Sequence, residues 1–367
     1  MFTIEPEEKQ GAEHRSGRFV YSETPFLVYW EVTRACDLAC RHCRAEAIKV
    51  RDVLELNTAE GETLLEQMRD FGPRKPHLVI TGGDPLKRGD VFDLIEQAFW
   101  LGIPVSLAPT ASTALTKDVM RLLKTIGIES IGLSLDGSTA ERHDGVRGVP
   151  GCFAQTVKAI HLALDEGLDI QVNTLAAAET LEDIPQIYKL LSGLDLMRWK
   201  LFTLVAVGRG KMLTPITAEQ CEGLHHWLYE LSKRTPFAVS MTEAPHYRRV
   251  VFTGMKAEGL AGGAIRQTSV GRGFGIRDGN GIMFISHTGE IYPSGFLPLS
   301  AGNVRTSHIV KAYRDSELFR KIRQTSSFKG RCGRCEFREI CGGSRARAYA
   351  STGDPLESDP LCAYQPA

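Results

Sequence analysis

Neither sign of charge is in surplus, since 44 Lys and Arg stand against 44 Asp and Glu. Binding to a phosphate backbone draws on an excess of Lys and Arg, so nucleic acid is excluded as the main partner. No apolar run approaches the roughly 18 residues of a membrane-spanning helix, and no membrane partner is expected. The opening MFTIEPEEKQGAEHRSGRF has no apolar signal-peptide core, which points to a cytoplasmic location. Internal repeats and low-complexity tracts are absent too. What remains is ordinary for a folded protein: 43 % apolar and 24 % charged residues in 367. That is enough for one large catalytic domain and a smaller appendage.

Cysteine is scarce over most of the chain and concentrated at two places. Cys36, Cys40 and Cys43 crowd together, and Cys332, Cys335, Cys341 and Cys362 lie near the C-terminus. Only Cys152 and Cys221 stand alone, and both are assigned to packing, with a radical-relay thiol as the alternative for Cys152. In a cytosolic chain such groups read as metal ligands before disulfides.

Short strand-like runs alternate with amphipathic stretches over the first 210 or so residues. The strands are expected to begin near Phe26, His77, Pro104, Ser130, Asp169 and Trp199. Three helices are expected to start at Thr58, Thr116 and Thr180 as N-caps and to end at Gly72, Gly127 and Gly193. Alternating β and α units, with strands apolar on both faces, indicate an α/β fold with a parallel sheet and outer helices. Six units are too few to close an eight-stranded barrel, so a partial (β/α)6 TIM-like barrel is expected, with a small C-terminal extension. The expected divisions are a polar tail over 1–21, the barrel over 22–214, a helical linker over 215–280 and the extension over 281–367. A hairpin is expected within IMFISHTGEIYPSGF, after a Gly-rich stretch.

The first cysteine group reads CxxxCxxC directly after the first strand. Three thiolates can hold three irons of a four-iron cube and leave the fourth open to an outside ligand. The alternative is zinc with His42 as fourth ligand, but His42 sits beside Cys43, where sharing one ion is awkward.

This loop resembles the cluster loop of the radical S-adenosylmethionine (SAM) superfamily, CxxxCx(aromatic)C, with His42 in the aromatic position. The resemblance implies a [4Fe–4S] cluster that chelates SAM, reductive cleavage to a 5′-deoxyadenosyl radical, and hydrogen abstraction from a substrate. The cofactors carry that chemistry, so no catalytic side chain is expected beyond the cluster-bound SAM. Gly82, Gly83 and Asp84 after the second strand resemble the family's GGE motif, which receives the methionine amino group. Asp84 replaces Glu, one methylene shorter, so contact through backbone or water is expected. Ser134 and Asp136 resemble the ribose-binding pair. Arg147 and Asn173 fall where related enzymes contact the SAM carboxylate or ribose. Taken singly, each is also an ordinary turn or surface residue. Nearly all lie at C-terminal strand ends, which converge on one face of a parallel barrel.

The second group offers four thiolates, a complete set for either a closed cluster or a tetrahedral zinc. The region around it resembles the SPASM extension of radical SAM maturases. Ser294 and Arg345 occupy positions where the two-cluster pattern has cysteines. That departure implies one auxiliary [4Fe–4S] cluster on Cys332, Cys335, Cys341 and Cys362.

VAVGRGKMLTP and the C-terminal motifs resemble porphyrin side-chain enzymes of haem and haem d1 biosynthesis. A tetrapyrrole propionate is therefore one implied substrate, with Arg209, Lys211, Arg345 and Arg347 as candidate clamps. Peptide maturation is the alternative within the superfamily, and a non-catalytic zinc scaffold the alternative outside it. An electron donor such as flavodoxin or ferredoxin is implied in either enzymatic case.

Overall fold

The computed structural model describes residues 19–366. The polar tail therefore lies, up to residue 18, outside the described residues. Seven strands follow one another in a parallel series: β1 Leu27–Glu31, β2 His77–Thr81, β3 Val105–Leu107, β4 Ser130–Ser134, β5 Ile170–Ala176, β6 Arg198–Thr203 and β7 Ala238–Thr242. β8 (Ile282–Ile285) pairs in parallel with β1 on the other side, and β9 (Ile291–Tyr292) pairs antiparallel with β8. The sheet order is thus β7-β6-β5-β4-β3-β2-β1-β8-β9, an open series with free ends.

The partial barrel is present, with more strands than the six expected. β7 falls inside the stretch read as a helical linker, and the expected hairpin is β8–β9. β7 escaped notice because AVSMT is five residues long and only weakly apolar. β8 continues the barrel's sheet, so the extension begins within the same hydrogen-bonded layer.

Helices α1 Thr58–Arg69, α2 Val91–Trp100, α3 Lys117–Thr125, α4 Ala140–Arg147, α5 Cys152–Asp165, α6 Ile184–Leu191, α7 Ala218–Ser232 and α8 Tyr247–Ala257 follow or join the strands. Their apolar faces meet one side of the sheet, where Val28, Trp30, Leu78, Ile80, Leu107, Leu133, Val172, Trp199 and Leu201 are fully buried. The expectation of apolar residues on both faces is corrected here. Alternate residues on the other face are half-buried and mostly polar: His77 and Thr81, Ser106, Ser134, Gln171 and Asn173, Arg198 and Lys200. A barrel left open admits water to its interior, so that face tolerates charge. Among the described residues no helix is long and apolar enough to cross a membrane.

Candidate functional site

The loop after β1 carries Cys36, Cys40 and Cys43, all free thiols, the first two buried. Each sulfur receives an N–H. Leu38 donates to Cys36 Sγ at 3.4 Å, Ala47 to Cys43 Sγ at 3.5 Å, and Arg147 Nη1 to Cys40 Sγ at 3.7 Å. Burial pushes the Cys36 thiol up to about 11, with Cys40, Cys43 and Asp84 adding to the rise. Three mutually repelling thiolates are stable there only with a bound cation, and the N–H donors suit a sulfur that keeps negative charge. The donor set fits an iron–sulfur cluster.

The turn after β2 packs directly beneath this loop. Gly83 N–H donates to the Thr33 carbonyl at 2.8 Å, and Asp84 N–H to that of Ala35 at 2.7 Å. A Cβ on Gly82 would lie 2.4 Å from the Thr33 oxygen, and one on Gly83 2.4 Å from the Ala35 oxygen. Both glycines are therefore required by close backbone approach. The Asp84 carboxylate turns inward, accepting from Leu86 N–H at 3.2 Å and Ser112 Oγ at 3.2 Å. Burial raises its pKa, against hydrogen bonds from Thr110, Leu86 and Ser112. It caps its own turn beside Cys36.

α4 closes the loop from above. The Arg147 and Val146 carbonyls accept from Ala39 and Arg41 N–H at 3.2 and 2.9 Å. Gly148, in the left-handed region at φ 71°, ends the helix against Ala39. Arg147 Nη2 is 2.7 Å from Asp136 Oδ2, and Leu175 N–H donates to Asp136 Oδ1 at 2.7 Å. Burial would raise the Asp136 pKa, but Arg147 and then His42 and His143 hold it below the usual carboxylate range. Asp136 is 2 % exposed and anchors Arg147. Arg147 in turn reaches a cysteine sulfur rather than open space.

Ser134 and Asn173 are register partners on β4 and β5, side by side on the interior face. Asn173 Oδ1 accepts from Gln171 Nε2 at 2.8 Å. Ser134 is the last residue of β4, whereas Asn173 sits in the middle of β5.

Sequence reasoning named Arg209 but missed the other charges around this mouth. Glu31, the last residue of β1, lies 2.6 Å from Arg44 Nη2 and 2.8 Å from His287 Nδ1. Burial would raise its pKa, but Arg44 and His287 bring it down to about 2. The signal was available: a Glu ending an otherwise apolar strand. Arg209 donates its backbone N–H to the Cys43 carbonyl at 3.1 Å, while its Nε and Nη2 are buried without a hydrogen-bond partner among the described residues. Lys200, across the interior, is lowered to about 7 by burial and by Arg198.

Cys332, Cys335, Cys341 and Cys362 line one partly open cavity, and all four thiols are free. Gly343 N–H donates to Cys341 Sγ at 3.4 Å and Arg345 Nη2 to Cys332 Sγ at 3.5 Å. Burial pushes Cys341 up to about 12 and Cys362 to about 11. Arg249, Arg331 and Arg338 also line the cavity. Four thiols in a basic pocket fit an anionic iron–sulfur cluster as well as a tetrahedral zinc. Two expected clamps are corrected. Arg345 is fully buried and donates to the Pro355 and Glu357 carbonyls at 3.0 and 2.7 Å; Arg347 is held by Asp359 at 3.1 Å and the Glu243 carbonyl at 2.6 Å. Both guanidinium groups are buried against these partners, and only the Arg347 Nε is left without a hydrogen-bond partner among the described residues.

The Radical SAM superfamily profile matches residues 30–191. An AdoMet-dependent heme synthase of Nitratidesulfovibrio vulgaris is 38 % identical over 94 % of both chains. One from Methanosarcina barkeri is 35 % identical over 94 % of this chain and 98 % of its own. Among solved structures, Streptococcus suis SuiB bound to S-adenosylmethionine superposes with TM-score 0.72 at 17 % identity, covering 93 % of this chain and 78 % of that one. With a cysteine loop built for a cluster and relatives matched end to end, this chain belongs to the radical SAM superfamily of enzymes, which work with a [4Fe–4S] cluster and S-adenosylmethionine.

Proposed function

We propose that this chain is a heme synthase that converts tetrapyrrole propionates to vinyl groups by oxidative decarboxylation. The single observation that carries this reading is the end-to-end match to chains named AdoMet-dependent heme synthase, which spans both cysteine groups. In this reading Cys36, Cys40 and Cys43 hold the SAM-binding cluster, and Cys332, Cys335, Cys341 and Cys362 hold an auxiliary [4Fe–4S] cluster. When bound, the first cluster and SAM supply a 5′-deoxyadenosyl radical for hydrogen abstraction.

The chain's own residues do the positioning. Gly82 and Gly83 let the β2 turn sit flush against the cysteine loop, and Arg147 fixes Cys40. Ser134 and Asn173, register partners on β4 and β5, offer polar contacts on the interior face. Arg209, with unpartnered guanidinium nitrogens beside the loop, is the strongest remaining candidate for a carboxylate, either of SAM or of a propionate. Lys200 and Arg198 make the interior basic, which suits an acidic substrate. Flavodoxin or ferredoxin as electron donor, and a cytoplasmic location, belong to the same proposal.

The test is anaerobic turnover of the reduced, reconstituted protein with SAM, with and without iron-coproporphyrin III. Substrate-dependent 5′-deoxyadenosine, with loss of a formate equivalent per propionate, is the expected result. SAM cleavage indifferent to the porphyrin would discard this substrate and favour a peptide. Ala at positions 36, 40 and 43 together is expected to remove about half of roughly eight irons and all SAM cleavage.

A further inference from the structure

Outside both cysteine groups, a third set of ligand-type side chains meets in the core. Cys221 and His225 lie one turn apart on α7, at i and i+4 on the same face. His246 approaches from the turn that opens α8. Cys221 Sγ is 3.4 Å from His225 Nε2 and 3.3 Å from His246 Nε2, and all three ligand atoms lie within 4.8 Å of one another. The side chains are 0 %, 0 % and 1 % exposed. The imidazole centroids are 4.5 Å apart.

We infer that Cys221, His225 and His246 bind a single zinc ion that ties α7 to α8. Bonds of about 2.3 Å to sulfur and 2.0–2.1 Å to nitrogen place tetrahedral ligand atoms about 3.5 Å apart, close to the two S···N distances here. One thiolate with two imidazoles is a borderline-soft set that selects zinc over hard cations. Packing alone explains the cluster less well. Cys221 has one proton to give, yet both rings turn the same nitrogen, Nε2, towards its sulfur. Both Nδ1 atoms are left without a hydrogen-bond partner among the described residues. Ligation through Nε2 fixes each ring as the Nδ1–H tautomer. For His246 that nitrogen lies 3.7 Å from Asp359 Oδ2, as in a carboxylate–histidine–zinc arrangement.

Asp359 gives the site a second consequence. Asp359, three residues before Cys362, also accepts from Ser344 N–H at 2.8 Å and pairs with Arg347. His246 itself lines the four-cysteine cavity. The ion therefore braces the wall of that cavity from behind.

The test is metal analysis and zinc K-edge absorption on the full-length holoenzyme, whose iron does not contribute at that edge. One zinc per chain with one sulfur and two nitrogen neighbours is the expected result. Cys221→Ser and His225→Gln should lose that zinc while keeping iron. Wild-type protein from zinc-supplemented cells that carries no zinc would overturn the inference and leave the heme-synthase reading untouched. Zinc surrounded by four sulfurs would overturn it as well, and would place the ion on Cys332, Cys335, Cys341 and Cys362.

Discussion

At the scale of single residues, the Arg147–Asp136 pair connects a buried charge to a cluster sulfur. Asp136 is closed off from water, and its one cationic partner in contact is Arg147 at 2.7 Å. Removing one member of a buried pair leaves the other charge uncompensated, at a cost of about 3–5 kcal/mol, whereas removing both can be nearly neutral. Arg147→Met is therefore expected to destabilise the protein more than Arg147→Met combined with Asp136→Asn, as read by denaturant midpoint. Both variants lose the N–H donated to Cys40 Sγ, so both should retain iron less well during chelator challenge. If the double variant recovers iron retention together with stability, Arg147 has no direct part in holding Cys40. The sequence singled out Arg147 and Asp136 as candidates through their resemblance to family positions, but not that they face each other. The pairing depends on α4 folding back over the cysteine loop, a tertiary event with no local signature.

At the scale of elements, helix boundaries were legible where the cap is local chemistry. Thr116 caps α3 by accepting from Val119 N–H at 3.3 Å, and Gly127 leaves that helix at φ 83°. The expected Thr58 start is displaced by one residue. Asn57 is the cap, accepting from Glu60 N–H at 2.9 Å while Glu60 accepts from Asn57 N–H at 2.8 Å. Asn and Thr are both good caps, and the reciprocal Glu decides between them. At the third helix the expectation fails differently. Thr180 starts a short 3-10 turn, Leu181–Asp183, and the α-helix begins at Ile184 ahead of Pro185. Its hydroxyl is occupied elsewhere, donating to the Leu175 carbonyl at 2.7 Å. Asn57→Ala should accordingly cost about 1 kcal/mol. Thr58→Ala, which removes only a surface hydroxyl bonded to Asp90, should cost less. Equal losses in paired thermal melts would contradict the cap assignment.

For the whole molecule, the cysteine spacing singled out both cysteine-bearing regions, and six of the parallel strands could be read from their apolar runs. What could not be read is how the two regions join. β8 looks locally like half of a hairpin, which it is, yet its other edge completes hydrogen bonding to β1 in a register running from Leu27–Ile282 to Trp30–Ile285. Pairing between residues some 255 positions apart leaves no trace in either segment. The C-terminal region accordingly shares the barrel's core. Met283, Ile285, Ile291, Ile309, Tyr313 and Phe319 are completely buried in the same apolar cluster as Val28 and Trp30. Each buried side chain of that size is worth about 1.5–3 kcal/mol. Six together are comparable to the ~5–15 kcal/mol that stabilises a typical domain. Cutting after residue 280 would also bare β1 as a long apolar edge, a template for aggregation. A chain of residues 1–280 is therefore expected to be insoluble or unfolded, even though it contains Cys36, Cys40, Cys43 and every expected SAM contact. The check is expression of this fragment beside the full chain, followed by circular dichroism and iron analysis after reconstitution. A soluble fragment with native-like helix content and about four irons would show that the barrel folds without its extension, and that β8 rests on a finished sheet instead of completing it.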